Sequence, residues 1–535
     1  HYPQAAYPYQ DPLETNQQRT RTEPEYELCD TGIFADDRYW AVTVDYAKES
    51  PTDIGMRIRV TNKGPEADTI HVLPHLWFRN TWEWGRKSAL PQLWHQPMAA
   101  TPGTIMAQHW RAGVYRFQAA PTDEGVHPLP LFCDNTSNEE DLWGSPNKSP
   151  FPKDGIGNHV VHGAATVNPN RNGTKAAWWY TADIEPGQTV EFRLRLAGEA
   201  AEHPEHHPSS AHGFTKLMDQ RRTEADEYYA HLSPADATED ERAVMRQAFA
   251  GMIWGKQFYR YNVALWLDGD PDEPPPPPEH RLIRNANWRN VDCYDVISMP
   301  DAWEYPWFAA WDLAFHCVAF ALIDPDFAKQ QLLLLTREWY MHPNGKIPAY
   351  EWDFSDANPP VHAWAALRVY QIEQKATGRG DRVFLERIFQ KLLINFTWWV
   401  NRKDEKGNNL FEGGFLGLDN IGAFDRNTGL PGGGRLEQAD GTAWMATYCL
   451  NLLAIALVLA RDNPVYEDVA TKFFEHFVYI GDALNSLGGG DDDGLWHEEL
   501  GWYFDVLKLP DGSRRPMRAI TIAGLVPMLA VAVAG

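Results

Sequence analysis

Trp303-Glu-Tyr-Pro-Trp307-Phe-Ala-Ala-Trp311-Asp312-Leu-Ala-Phe-His316 carries an aromatic loop into an apolar run of helical period. A single carboxylate, Asp312, stands behind Trp303, Trp307 and Trp311, just inside the helix. Flat indole faces bind the apolar faces of sugar rings. A carboxyl group desolvated among such rings has its pKa raised, as a general acid requires. An amphipathic core helix with a capping Asp accounts for this stretch alone equally well.

Working outward, the sequence reads as helical from here to its end, with long loops. Helices are expected near 238–256, 308–323, 326–341, 360–377, 381–403, 437–461, 464–484 and 515–534. Ser233-Pro-Ala-Asp reads as the start of the first, with Ser at the N-cap and Pro at the first position. Toward the N-terminus the period changes from helical to two. Ile54, Met56, Ile58 and Val60 alternate with Gly55, Arg57 and Arg59, and Val190, Phe192, Leu194 and Leu196 alternate with Glu191, Arg193 and Arg195. With further strands near 39–46, 69–78, 113–117 and 177–184, this half is expected to form antiparallel sheets packed as a sandwich.

The expected fold class is therefore multidomain β plus α. A β-sandwich over 1–205 is followed by a linker helix over 206–232 and an α/α toroid over 233–535. The first residues contain no start, and the last apolar run has neither cap nor polar tail. Both end domains are accordingly read as lacking part of their chain.

Composition narrows the function. A formal charge of −25 over 535 residues argues against nucleic acid and anionic membrane surfaces. No run of about 20 apolar residues is read as a membrane span. Without a secretory signal, a cytoplasmic location is expected. The 23 Trp and 21 Tyr suit carbohydrate handling. Cys29, Cys133, Cys293, Cys317 and Cys449 are too scattered for a metal site or a disulfide framework. His203, His206 and His207 cluster on a polar linker, where a metal site is not expected.

Carboxylate–aromatic clusters recur at the expected helix starts. Tyr350-Glu351-Trp352-Asp353 leads through Asn358-Pro-Pro into a helix with His362 and Trp364. Gly417-Leu-Asp419-Asn420 follows, and Arg435-Leu-Glu437-Gln-Ala-Asp440 opens a helix with Trp444. Singly, each reads as turn chemistry or capping. Their repetition at successive helix starts favours one shared pocket.

At these motifs the chain resembles glycoside hydrolase family 63, which includes processing α-glucosidase I and bacterial relatives acting on glucosides and mannosylglycerate. The matching pieces are Trp307-Phe-Ala-Ala-Trp311-Asp312, Asn358-Pro-Pro-Val-His-Ala-Trp364, Gly417-Leu-Asp-Asn420 and Gly434-Arg-Leu-Glu-Gln-Ala-Asp-Gly-Thr-Ala-Trp444. The resemblance implies an N-terminal β-sandwich, an (α/α)6 barrel, no cofactor, and inverting hydrolysis of an α-glycosidic bond in an oligosaccharide or small glycoside. It puts Asp312 in the place of the general acid. Trp307, Trp311, Glu351, Trp352, His362, Trp364, Asp419, Asn420, Glu437 and Asp440 would bind substrate. The family's general base, a Glu late in the barrel, has no counterpart before Gly535. Glu498 and Glu499 are its nearest imitation and are read as pocket or structural residues. The rival expectations are a trehalase-like or mannosylglycerate/glucosylglycerate hydrolase and a non-catalytic carbohydrate-binding protein.

Overall fold

A computed structural model describes residues 1–85, 89–98, 101–199, 201, 207–271, 274–282, 285–301, 303–350, 357–402, 409–411, 430–485 and 494–531. The chain forms two compact units, one of His1–Ala230 with Pro271–Glu273, the other of His231–Asp270 with Pro274–Gly535. The fold is mixed β and α, with antiparallel sheets and many helices.

In the first unit an eight-stranded sheet runs in the spatial order Tyr2–Pro3, Tyr39–Ser50, Asp53–Asn62, Thr189–Gly198, Gly113–Ala119, Thr101–His109, Gln92–Met98 and Asn172–Gly173. A second sheet centres on Lys175–Ile184, which pairs with Asp68–Val72, His75–Trp77 and Leu129–Cys133. The period-2 residues meet across the ladder as Val60↔Val190, Ile58↔Phe192 and Met56↔Leu194. Their face shares one core with Trp178 and Tyr180 of the second sheet. Both polar tips are satisfied there: Trp178 Nε1 donates to the Phe117 carbonyl at 3.3 Å and Tyr180 OH to Ala120 at 2.8 Å.

The opposite face departs from expectation. Arg57, Arg193 and Arg195 should be solvated by alternation, yet all three are buried. Each has a carboxylate: Asp45 at 2.9 Å for Arg57, Asp123 at 2.6 Å for Arg193, and Asp53 at 2.7 Å from Nε of Arg195. Short helices α1 (Gln10–Gln18), α2 (Glu139–Trp143) and α3 (Gly155–His162) complete the unit, and the long α4 (Ala211–Leu232) begins in it. The first turns of α4, expected to bridge domains, bury Phe214, Leu217 and Met218 against Ala47 on this arginine-bearing face. Gly55 permits this approach, since a Cβ there would stand 3.2 Å from both Met218 Cε and Phe214 Cε2.

The second unit holds α5 (Glu239–Trp254), α6 (Val263–Asp268), α7 (Ala310–Ile323), α8 (Pro325–Leu335), α9 (His362–Thr377), α10 (Arg382–Val400), α11 (Ala439–Ala460) and α12 (Val465–Asn485). Helix α5 opens on a Thr238/Glu241 capping box, not on Ser233, because the box satisfies donors reciprocally. Helix α8 stops at Leu335, where a turn takes over. The segment is also less helical than its apolar period implies. Lys256–Asn262 pairs with Asp292–Ser298, and Arg435–Glu437, Val506–Lys508 and Arg514–Pro516 form a three-stranded sheet. The last apolar run is a 3₁₀ segment, Ile522–Leu529, with Pro527 inside it, where proline removes an α-helical donor.

Helix α11 is, among the described helices, long and apolar enough to cross a membrane, against the expectation that no such run exists. Half of its apolar window is buried within the unit, where it packs on α9, α10 and α12. Lys329 of α8 is buried with Glu373 of α9 at 2.8 Å and with Asp381, the cap of α10, at 3.0 Å. Arg382 at the start of α10 donates to Leu459 at the end of α11. Helices α7, α9 and α11 therefore all start at the same end of the unit.

Candidate active site

Three helix starts supply the described part of the site. On α7, Ala310 N–H donates to Ala349 at 2.8 Å, and Ala309 is bridged to Tyr350. This fixes the first turn, where Trp311 and Asp312 occupy the second and third helical positions, both half-buried. A carboxylate there sits in the positive end of the helix dipole. Rings run from α7 to α9: Trp311 to Phe315 at 5.7 Å between centroids, then Phe315 to Trp364 at 5.3 Å. Trp307 packs half-buried on the core. Trp303 is 93% exposed and does not join the group, contrary to the expectation of three tryptophans around Asp312. Asp301 instead holds it in a turn through the N–H groups of Trp303 and Glu304.

His362, the first residue of α9, is buried and its ring is hydrogen-bonded to the backbone of Ala310. Burial pushes its pKa down to about 4, against the smaller raising effect of that bond, so the imidazole is neutral at physiological pH. Its Nε2 is buried and has no hydrogen-bond partner among the described residues.

At the start of α11, Asp440 is fully buried and its Oδ1 accepts from Gly441 N–H at 2.8 Å. Glu437, also buried, accepts from Arg514 Nε at 3.1 Å, so its carboxylate is committed to an ion pair. Asp505 caps the same helix by accepting from Ala439 N–H at 2.9 Å. Arg514 and Asp505 escape a sequence reading because each lies more than sixty residues from its partner. Glu351, Trp352, Asp419 and Asn420 lie outside the described residues. Glu498 is exposed and accepts from Trp496 Nε1 at 2.8 Å, a local contact. Among the described residues no group of three or more His, Cys, Asp or Glu is placed to hold a metal ion.

Asp312 and helices α7 to α11 fall within a segment that matches a glycoside hydrolase family. Residues 305–473 match the family described as mannosylglycerate hydrolase MGH1-like glycoside hydrolase domain. The chain is also 42% identical to the uncharacterized protein YMR196W of Saccharomyces cerevisiae, over 98% of its own length. It spans about half (52%) of that relative. Among solved structures, an uncharacterized conserved protein from Thermus thermophilus aligns at 20% identity and a TM-score of 0.35, over 44% of this chain and 67% of that one. A GH63 mannosylglycerate hydrolase from the same organism, in complex with glucose, aligns at 18% identity and a TM-score of 0.33, with the same two coverages.

Proposed function

We propose that this chain takes part in inverting hydrolysis of an α-glycosidic bond in a small glycoside or oligosaccharide, with Asp312 as general acid. The observation that carries the reading is the position of Asp312: half-buried in the first turn of α7, inside the family-matched segment, beside the Trp311–Phe315–Trp364 run. Asp312 would protonate the glycosidic oxygen while a second carboxylate, roughly 6.5–9.5 Å away, activates water on the opposite face of the sugar. Glu437 and Asp440 are poor choices for that base, the first held by Arg514 and the second bonded to a helix N–H. Trp311 and Trp364 would carry the apolar face of the ring, within an (α/α)6 arrangement of helices.

The test is release of sugar from α-glucosides, mannosylglycerate, glucosylglycerate and trehalose, with the anomer of the first product read by NMR. Asp312→Asn is expected to lower kcat by roughly 10²–10⁴-fold, the usual worth of a general acid. A variant keeping more than about half the activity would assign the proton to another residue.

A further inference from the structure

The strand Asp292–Ser298 and helices α7 and α8 bring together a line of polar groups, Gln331 and Ser298 buried and His316 half-buried, that the proposed reaction leaves unused. Gln331 on α8 donates from Nε2 to the Val296 carbonyl at 2.9 Å and accepts from Ser298 N–H at 3.1 Å. Its amide thus serves as one residue of an added strand. Ser298, itself buried, places Oγ 2.9 Å from His316 Nδ1. His316 is one turn beyond Asp312 on α7. Residues four apart share a helix face, and helical side chains lean back toward the N-terminus, so this imidazole leans toward the carboxyl.

We infer that His316 is a positioning residue for Asp312: the Gln331–Ser298–His316 ladder holds a neutral imidazole behind the carboxyl and directs the acid proton toward the sugar. This rests on the reading of Asp312 as the acid. With Ser298 O–H donating to Nδ1, the ring proton sits on Nε2, where it can donate to the inner carboxyl oxygen. The acid proton is then left on the outer oxygen. When Asp312 passes it to the glycosidic oxygen, the C–O bond breaks, its electron pair leaves with the departing group, and Nε2–H stabilises the new carboxylate. His316 keeps its own proton throughout.

The surroundings agree. Burial holds the His316 pKa below the usual histidine value, and the opposing charge that acts on it is Asp312. Several other charges on the elements packed against α7 are engaged elsewhere. Lys256 pairs with Asp324, Lys329 with Glu373 and Asp381, and Arg260 with Asp292. Asp295 accepts from Trp339 Nε1, Arg368 donates to Gln371, and the His362 ring is bonded to the Ala310 backbone. Helix α5 has no charged residue after Arg246.

The experiment compares His316→Gln, Ser298→Ala and Asp312→Asn with the unaltered protein on an alkyl and a dinitrophenyl α-glycoside. Only the alkyl leaving group needs a proton. His316→Gln should lower turnover of the alkyl glycoside by roughly 10–100-fold and of the dinitrophenyl glycoside by less than about threefold. Ser298→Ala should show the same selectivity more weakly, and it covers the case in which His316→Gln fails to fold. Equal losses on both substrates, or no loss on the alkyl glycoside, would overturn the inference. If Asp312→Asn itself lacks the selectivity, the assignment of the acid fails instead. A measurement independent of turnover follows the His316 ring resonance, identified by its loss in His316→Gln. Its titration midpoint should fall in Asp312→Asn, and an unmoved midpoint would also reject the pairing.

Discussion

Replacing Arg514 with Met tests the region around Asp440 from the structural side. Glu437 and Arg514 have side chains 4% and 17% exposed, and they join the two outer strands of the three-stranded sheet across its middle strand, Val506–Lys508. Arg514→Met keeps most of the aliphatic stem but strands a buried carboxylate immediately before α11. Breaking a buried pair from one side costs roughly 3–5 kcal/mol, against 0–1 for an exposed one. At about 2 °C per kcal/mol for a unit of this size, the melting midpoint should fall by roughly 6–10 °C. Glu437→Gln in the same chain removes the stranded charge, so the double variant should recover part of the loss. The assay is urea and thermal unfolding of the four forms, followed by circular dichroism. A single-variant loss under about 1 kcal/mol, or losses that simply add, would show that Glu437 is not committed to Arg514. It would then return as a substrate-binding candidate.

His362 carries a pH dependence of defined sign. Its folded pKa of about 4 lies below the unfolded value near 6.5. The unfolded chain therefore binds the extra proton first as pH falls. The stability this group contributes is full above about pH 6.5 and is lost toward pH 4, by roughly 3 kcal/mol. Urea midpoints across that range should drop in the unaltered protein and drop less in His362→Phe; parallel curves would refute the assignment. In the first unit, Gly55→Val would drive methyl groups into Met218 and Phe214, already 3.2 Å from an added Cβ. The expected loss is about 1–3 kcal/mol, with Gly55→Ala milder, and a neutral Gly55→Val would mean α4 does not rest there.

The parts of the fold that could be read in the sequence are those set by local periodicity. Val60 and Val190 face each other because each strand alternates by itself, and α7 and α9 begin within a few residues of expectation because Pro and aromatic runs punctuate them. What escaped depends on remote partners. Nothing beside Arg57, Arg193 or Arg195 announces that Asp45, Asp123 or Asp53 will take them out of water. The strand Lys256–Asn262, spelled Lys-Gln-Phe-Tyr-Arg-Tyr-Asn, shows its period only once Tyr259 is seen turned inward and Phe258 outward. The candidate site follows the same division. The helix start that carries Trp311 and Asp312 was legible, whereas Ser298 and Gln331 acquire meaning only when the strand and α8 are brought beside α7.

Lys329 has a bearing on the order in which the second unit assembles. Its ammonium has Asp326 of the same helix at 3.1 Å, but its other two counter-charges, Glu373 and Asp381, lie 44 and 52 residues later in the chain and arrive only with α9 and α10. A half-built unit with α8 docked and α10 still loose would hold a desolvated cation short of one counter-charge, a state raised in free energy. Such a penalty disfavours partly docked species and couples α8, α9 and α10 into one event. Loss of structure at any of the three should then spread to the other two, so that hydrogen exchange in their middle turns proceeds at a common rate.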